Sequence, residues 1–125
     1  MADAYATAED YRKSISQIDQ SADMLIDRDL IAIPVPGHTR GHMVLSYRHK
    51  FLFSGDHLAW SPNRNSLIAF RNACWYLWSA QTSSMLRLLD YDFEWVLPGH
   101  GRIHHDSAAN MKTALRDCIE WMKTV

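Results

Sequence analysis

The sequence predicts an α/β fold, a mixed sheet with helices on one face, and three observations predict it. Short apolar runs end abruptly at glycine or proline, as strands do where a loop must turn. Those runs are apolar at successive positions instead of alternating, the pattern of strands covered on both faces. Later in the chain, strand and helix patterns interleave, which calls for stacked layers. At 125 residues the chain is expected to form one domain, able to bury roughly 65–70% of its unfolded surface around a single core.

Residues 1–24 are polar and alanine-rich and specify little. A short helix from Glu9 to Ile18, with Tyr11, Ile15 and Ile18 on one face, is the most they support. Leu30–Val35 is the first predicted strand, ended by Pro36-Gly37. Met43–Tyr47 is the second, Arg48-His49-Lys50 a polar turn, and Phe51–Phe53 the third, ended by Ser54-Gly55. Ser61 to Ser66 reads as a loop. A helix is predicted from about Ser79 to Leu89, with Met85, Leu88 and Leu89 as its apolar stripe. Trp95-Val96-Leu97 is a fourth strand before Pro98-Gly99. The last helix has Asp106 or Ser107 as N-cap, and Met111, Leu115, Cys118, Ile119 and Met122 recur at three and four residues.

Composition removes several function classes. A hydrophobic fraction of 47% and a charged fraction of 22% are ordinary for a globular chain. With a net charge of −1, no nucleic acid or acidic membrane surface is expected as a partner. No apolar run approaches the ~18 residues of a membrane helix, and the start shows no secretory pattern. A soluble, cytoplasmic protein is expected, with Cys74 and Cys118 as reduced thiols.

Three segments carry the chemistry: Pro36-Gly37-His38-Thr39-Arg40-Gly41-His42, Ser54-Gly55-Asp56-His57 and Leu97-Pro98-Gly99-His100-Gly101. Each puts a metal-capable side chain in a glycine-bearing loop behind a strand. Histidines four apart can bind zinc from one helix face, but Pro34, Pro36, Gly37 and Gly41 oppose a helix here. Taken singly, His38, Asp56 and His100 read more readily as turn residues bonded to backbone than as ligands. Taken together, behind three strand ends, they form a carboxylate–imidazole set suited to zinc, iron or manganese.

In this order, Gly-His-Thr-x-Gly-His, Ser-Gly-Asp and Pro-Gly-His-Gly resemble the later motifs of the metallo-β-lactamase superfamily, most closely its glyoxalase II-like hydrolases. The resemblance runs from about Leu30 to Gly101. It implies an αββα sandwich of two similar halves, of which this chain matches the C-terminal half. Residues 25–125 would be the matching part of a single partial domain, with 1–24 outside it. It also implies that His38 binds a first metal, Asp56 bridges two, and His100 binds the second, for activated-water attack on an ester, thioester or amide of a small-molecule substrate.

His42, His57, Thr39 and Trp60 are candidates for supporting the ligands or meeting substrate. Trp75, Tyr76 and Trp78 are either pocket lining or core. His104 and His105 are expected to be exposed.

The family's His-x-His-x-Asp-His motif, source of its other four ligands, is absent from these residues. The expectation is therefore a fragment with weak or no metal binding and no activity alone. The alternative is a split subunit or pseudoenzyme interaction module. An N-terminal-half partner or a homodimer would then cover the sheet face that its two helices leave bare.

Overall fold

The computed structural model describes residues 22–125; the expected helix at Glu9–Ile18 lies outside the described residues. The elements follow in order: β1 (Met24–Asp27), β2 (Leu30–Pro34), β3 (Met43–Tyr47), β4 (Phe51–Gly55), β5 (Ala59–Ser61), β6 (Ser66–Ile68), a 3₁₀ turn (Arg71–Ala73), α1 (Trp78–Leu88), β7 (Trp95–Pro98), β8 (His104–His105) and α2 (Ala108–Met122). Six strands form one mixed sheet in the order β1-β2-β3-β4-β7-β8, and β5 and β6 form a separate ribbon. The pairing of β4 with β7 is parallel; the sheet's other pairings are antiparallel.

The four predicted strands and two helices are present. β1, β5, β6 and β8 were not expected from sequence. They are short, and cross-strand pairing with stronger neighbours defines them. β1 is joined to β2 by a turn in which Asp27 Oδ1 accepts from the backbone N–H of Asp29 at 2.8 Å and of Leu30 at 3.2 Å.

One face of the sheet carries the core. Ile33, Val44, Leu52 and Val96 point to the same side and meet Met85 and Leu88 of α1 and Met111, Leu115, Cys118, Ile119 and Met122 of α2. The ribbon adds Leu58, Leu67 and Ala69. Helix α2 starts where predicted, with Ser107 as N-cap accepting from Asn110 N–H at 3.1 Å. Burial pushes the Cys118 thiol up to about 12, so it packs as a small apolar group, and both cysteines are unpaired.

The opposite face is also apolar. Register sets Ala32, Leu45, Phe53 and Leu97 in one cross-strand row and Leu30, Tyr47, Phe51 and Trp95 in the next. In the second row Phe51 stacks on Trp95 at 6.3 Å, and Trp95 on His105 at 4.2 Å. The core cluster takes no member from this face, and Phe53 on it is 45% exposed.

Helix α1 differs from its sequence reading in a way that bears on function. Its apolar stripe is present, but Gln81 and Ser84 are also buried. They turn inward because loops behind the strands present carbonyls with no ladder partner. Ser84 Oγ donates to the Pro36 carbonyl at 2.7 Å, Gln81 Nε2 to the His57 carbonyl at 3.1 Å, and Arg87 Nη1 to the Pro34 carbonyl at 2.7 Å. Trp78 begins this helix and is core, with Nε1 donating to the Met122 carbonyl at 3.0 Å.

The helix approaches closely because residue 37 is glycine. A Cβ there would lie 2.2 Å from Gln81 Cβ and 2.3 Å from Gln81 Cα. Gly37→Ala is expected to destabilise the chain by about 3 kcal/mol, the upper end for overpacking, because the obstruction is helix backbone. Urea unfolding of the variant beside the parent checks this.

Candidate metal centre

Strand direction brings the three motifs together. β2 runs antiparallel to β3 and β3 to β4, so β2 and β4 point the same way, as does β7. The C-terminal ends of β2, β4 and β7 therefore share one edge of the sheet, where loops of an α/β fold gather functional groups. His38 follows β2, Asp56 follows β4 and His100 follows β7. Gly99 N–H donates to the Gly55 carbonyl at 2.8 Å and ties the last two loops together.

All three predicted ligands meet at the Asp56 carboxylate. His38 Nε2 lies 3.2 Å from Oδ2, and His100 Nδ1 lies 2.6 Å from Oδ1. The His100 hydrogen bond is the main reason the Asp56 carboxyl is held below the usual carboxylate range, and the charges of His100, His38 and His42 add to it against a smaller effect of burial. The carboxylate is thus ionised at neutral pH and able to act as a metal ligand.

Two further histidines lie beneath. His42 sits edge-on to His38, with ring centroids 5.2 Å apart, and 6.4 Å from His57. Burial lowers the His42 pKa, and the charge of His38 lowers it further. Its Nε2 is buried without a protein partner. His57 adjoins Asp56 in sequence but is wholly buried, with neither ring nitrogen hydrogen-bonded to protein. It faces the interior, where its carbonyl is held by Gln81.

The other candidates are spread out. Thr39 is exposed, and its carbonyl accepts from Gly37 N–H at 3.0 Å, closing the turn. Trp60 stacks on His104 at 3.5 Å, with 4° between planes, and its backbone N–H donates to the Arg102 carbonyl at 3.1 Å. This corrects the expectation that His104 is exposed: its side chain is 18% accessible, because Trp60 covers the ring. His105 is exposed as expected.

The centre opens into a cleft of about 510 Å³, lined by His38, Asp56, His100, Phe70, Asn72, Ala73 and Trp75. Of the aromatic candidates only Trp75 lines it. Phe70, Asn72 and Ala73 had no sequence signal, because nothing local says that the 3₁₀ turn folds back over the motif loops.

Among the described residues, no three His, Cys, Asp or Glu side chains surround one point that could hold a metal ion. What the chain offers is two pairs on opposite oxygens of one carboxylate. The 3.2 Å separation of the His38 pair is close to the ~3.3 Å between two zinc ligands on ~2.0 Å bonds at the tetrahedral angle. The His100 pair, at 2.6 Å, is a hydrogen bond that must lengthen to share an ion. The donors are thus of a kind that suits a metal ion chemically.

The burial of His57 has a pH consequence. Desolvation lowers its pKa from 6.5 to about 3, so the unfolded chain takes up the proton first. Stability is full above the unfolded value and falls as pH drops from about 6.5 toward about 3. Between pH 7.5 and 5.0 the expected loss is about 2 kcal/mol. Urea titrations at both pH values should show a flatter dependence for His57→Gln than for the parent.

No family model matches the chain. It is 38% identical over 76 residues to the acyl-coenzyme A thioesterase MBLAC2 of Gallus gallus, a match covering 59% of this chain and 26% of that protein. The chain thus spans about a quarter of that curated relative. Its fold is similar to that of an archaeal metallo-β-lactamase superfamily protein, ST1585 from Sulfolobus tokodaii, with a TM-score of 0.50 at 21% identity, over 80% of this chain and 38% of the other. No helix among the described residues is long and apolar enough to cross a membrane. The likeness to ST1585 shows the fold, an α/β arrangement similar to part of a metallo-β-lactamase superfamily protein, and the match to MBLAC2 is a likeness in sequence to part of that thioesterase.

Proposed function

We propose that these residues form one half of a metallohydrolase site of glyoxalase II-like type, and that catalysis needs donors from a second polypeptide segment. The observation that carries this is the placing of His38 and His100 on opposite oxygens of Asp56. With one imidazole beside each carboxylate oxygen, His38, Asp56 and His100 would supply only part of the four ligands that a zinc ion takes. Zinc is the ion proposed, with iron or manganese also suited to the donors. When bound, such ions polarise a carbonyl and lower the pKa of a coordinated water toward neutral.

The chain's own residues have distinct parts in this reading. His38, Asp56 and His100 would hold the ions. His42 backs His38 from within, and the cleft receives a small-molecule ester, thioester or amide. A thioester accords with the name of the chicken relative. Two unpaired thiols accord with a reducing compartment such as the cytoplasm.

The metal claim has a direct check. The purified chain is expected to hold zinc below one ion per chain, and Asp56→Ala combined with His100→Ala to remove it, as elemental analysis after gel filtration will show. It should hydrolyse thioester model substrates no faster than zinc in buffer. Two tightly held ions per chain, or turnover that disappears with His38→Ala, would make it a self-sufficient enzyme and sink the half-site reading.

The completing partner is proposed to dock on the outer sheet face, where Leu45, Phe53 and Leu97 share a row. A partner chain carrying the missing donors would serve, and a homodimer is the simpler occupant in a pure sample. Light scattering at micromolar concentration is expected to report a dimer or larger species, and Phe53→Ser to shift it toward monomer. A monomeric parent that binds no hydrophobic dye would show that this face needs no cover.

A further inference from the structure

We infer that the cleft selects substrates by an apolar acyl arm laid along a fixed aromatic wall made by Phe70, Ala73 and Trp75. This rests on the hydrolase reading and adds the substrate class. Among the described residues the cleft lining contains neither Lys nor Arg; apart from His38, Asp56 and His100 it is Phe70, Ala73, Trp75 and the neutral amide of Asn72. A group entering beside the metal ligands therefore meets hydrocarbon and one hydrogen-bonding side chain. That suits an uncharged acyl chain, not a phosphate or a sugar. At about 510 Å³ the space is within the range of small-molecule sites.

Trp75 is the central observation. Its side chain is among the most exposed of the large apolar groups, at 77%, whereas Trp60, Trp78, Trp95 and Trp121 are buried or half-buried. Its backbone, by contrast, is fastened to the ligand loop. Trp75 N–H donates to the His38 carbonyl at 2.9 Å, and Tyr76 and Leu77 N–H donate to the Gly37 carbonyl at 3.3 and 3.0 Å. Cys74 Sγ reaches that same carbonyl at 3.1 Å. The indole is thus exposed beside His38 on backbone hydrogen-bonded to the His38 loop. Tyr76 and Leu77, 45% and 49% exposed, follow along the chain, and the Arg40 guanidinium lies 5.5 Å over the Tyr76 ring at the far end of the strip. A preformed apolar surface next to the reacting end binds an acyl chain without the cost of ordering a loop.

The chemistry balances as ordinary hydrolysis. Water supplies hydroxide to the acyl carbon, the bond from that carbon to oxygen or sulfur breaks, and the alcohol or thiol leaves with a proton. The acyl group departs as a carboxylic acid, so free carboxylates are probes of the wall.

The full chain is titrated by calorimetry with acetate, hexanoate and decanoate, once in chelator and once with zinc added. Decanoate is expected to bind at least tenfold more tightly than acetate in both conditions. Trp75→Ser is expected to remove that preference while leaving zinc uptake and the circular dichroism spectrum unchanged. Phe53→Ser, on the outer sheet face, is expected to leave it intact. Equal affinity for all three acids, or a preference that survives Trp75→Ser, overturns the inference, as does one lost with Phe53→Ser alone. Chain-length preference without zinc uptake would count against the metal reading and not against the wall. Zinc uptake without preference would do the reverse.

Discussion

Helix α1 lies against Gly37 so closely that a single added carbon would collide with helix backbone, and the functional edge of the sheet is organised around that contact. Gln81 and Ser84 turn their polar groups inward onto the carbonyls of His57 and Pro36. Those carbonyls belong to the loops that carry Asp56 and His38. A buried loop carbonyl without a partner costs on the order of 1–3 kcal/mol, so the helix makes these turns tolerable inside a layered fold. It also fixes the wall of the cleft, since the segment entering α1 bonds the Gly37 and His38 carbonyls. The His38 loop, helix and wall are tied together by these hydrogen bonds.

Around that unit the electrostatics are graded. Asp56 lies at the surface, ionised and flanked by two imidazoles. His42 is one layer down and His57 is wholly enclosed, each with a lowered pKa. Neutral imidazoles behind a carboxylate keep the interior free of charge while leaving the outer groups able to bind a cation. The absence of ring partners for His57 is a stability cost that grows on acidification, in the segment that positions Asp56.

The sheet adds a constraint of its own. One face is closed by α1, α2 and the β5–β6 ribbon. The other presents Leu45, Phe53 and Leu97 beside a row containing Tyr47, Phe51 and Trp95. Apolar area of this kind is favourable to bury at about 25 cal/mol per Å², which is the physical basis for proposing a second sheet or a second copy there. Both proteins that the chain resembles are much longer than the matched part.

Much of this was decided by the sequence alone. Leu30 to Val35, Met43 to Tyr47 and Phe51 to Phe53 could be read as strands because glycine and proline punctuate uninterrupted apolar runs. Helix α2 was legible because Met111, Leu115, Cys118, Ile119 and Met122 repeat with helical spacing. The three motif loops marked His38, Asp56 and His100 by residue type, and the structure brings these three together. Other features were settled only by tertiary structure, because they depend on neighbours distant in the chain. β1, β5, β6 and β8 are too short to carry a period and take their form from pairing. The inward turn of Gln81 and Ser84 follows from loop carbonyls that no local pattern reveals. His57 is interior and His104 covered because of what packs on them, Gln81 and Trp60. Phe70, Asn72 and Ala73 reach the cleft only because a 3₁₀ turn folds across strands from another part of the chain. Sequence carries the periodicities and the reactive groups; burial and convergence are properties of contacts, and contacts exist only in the folded chain.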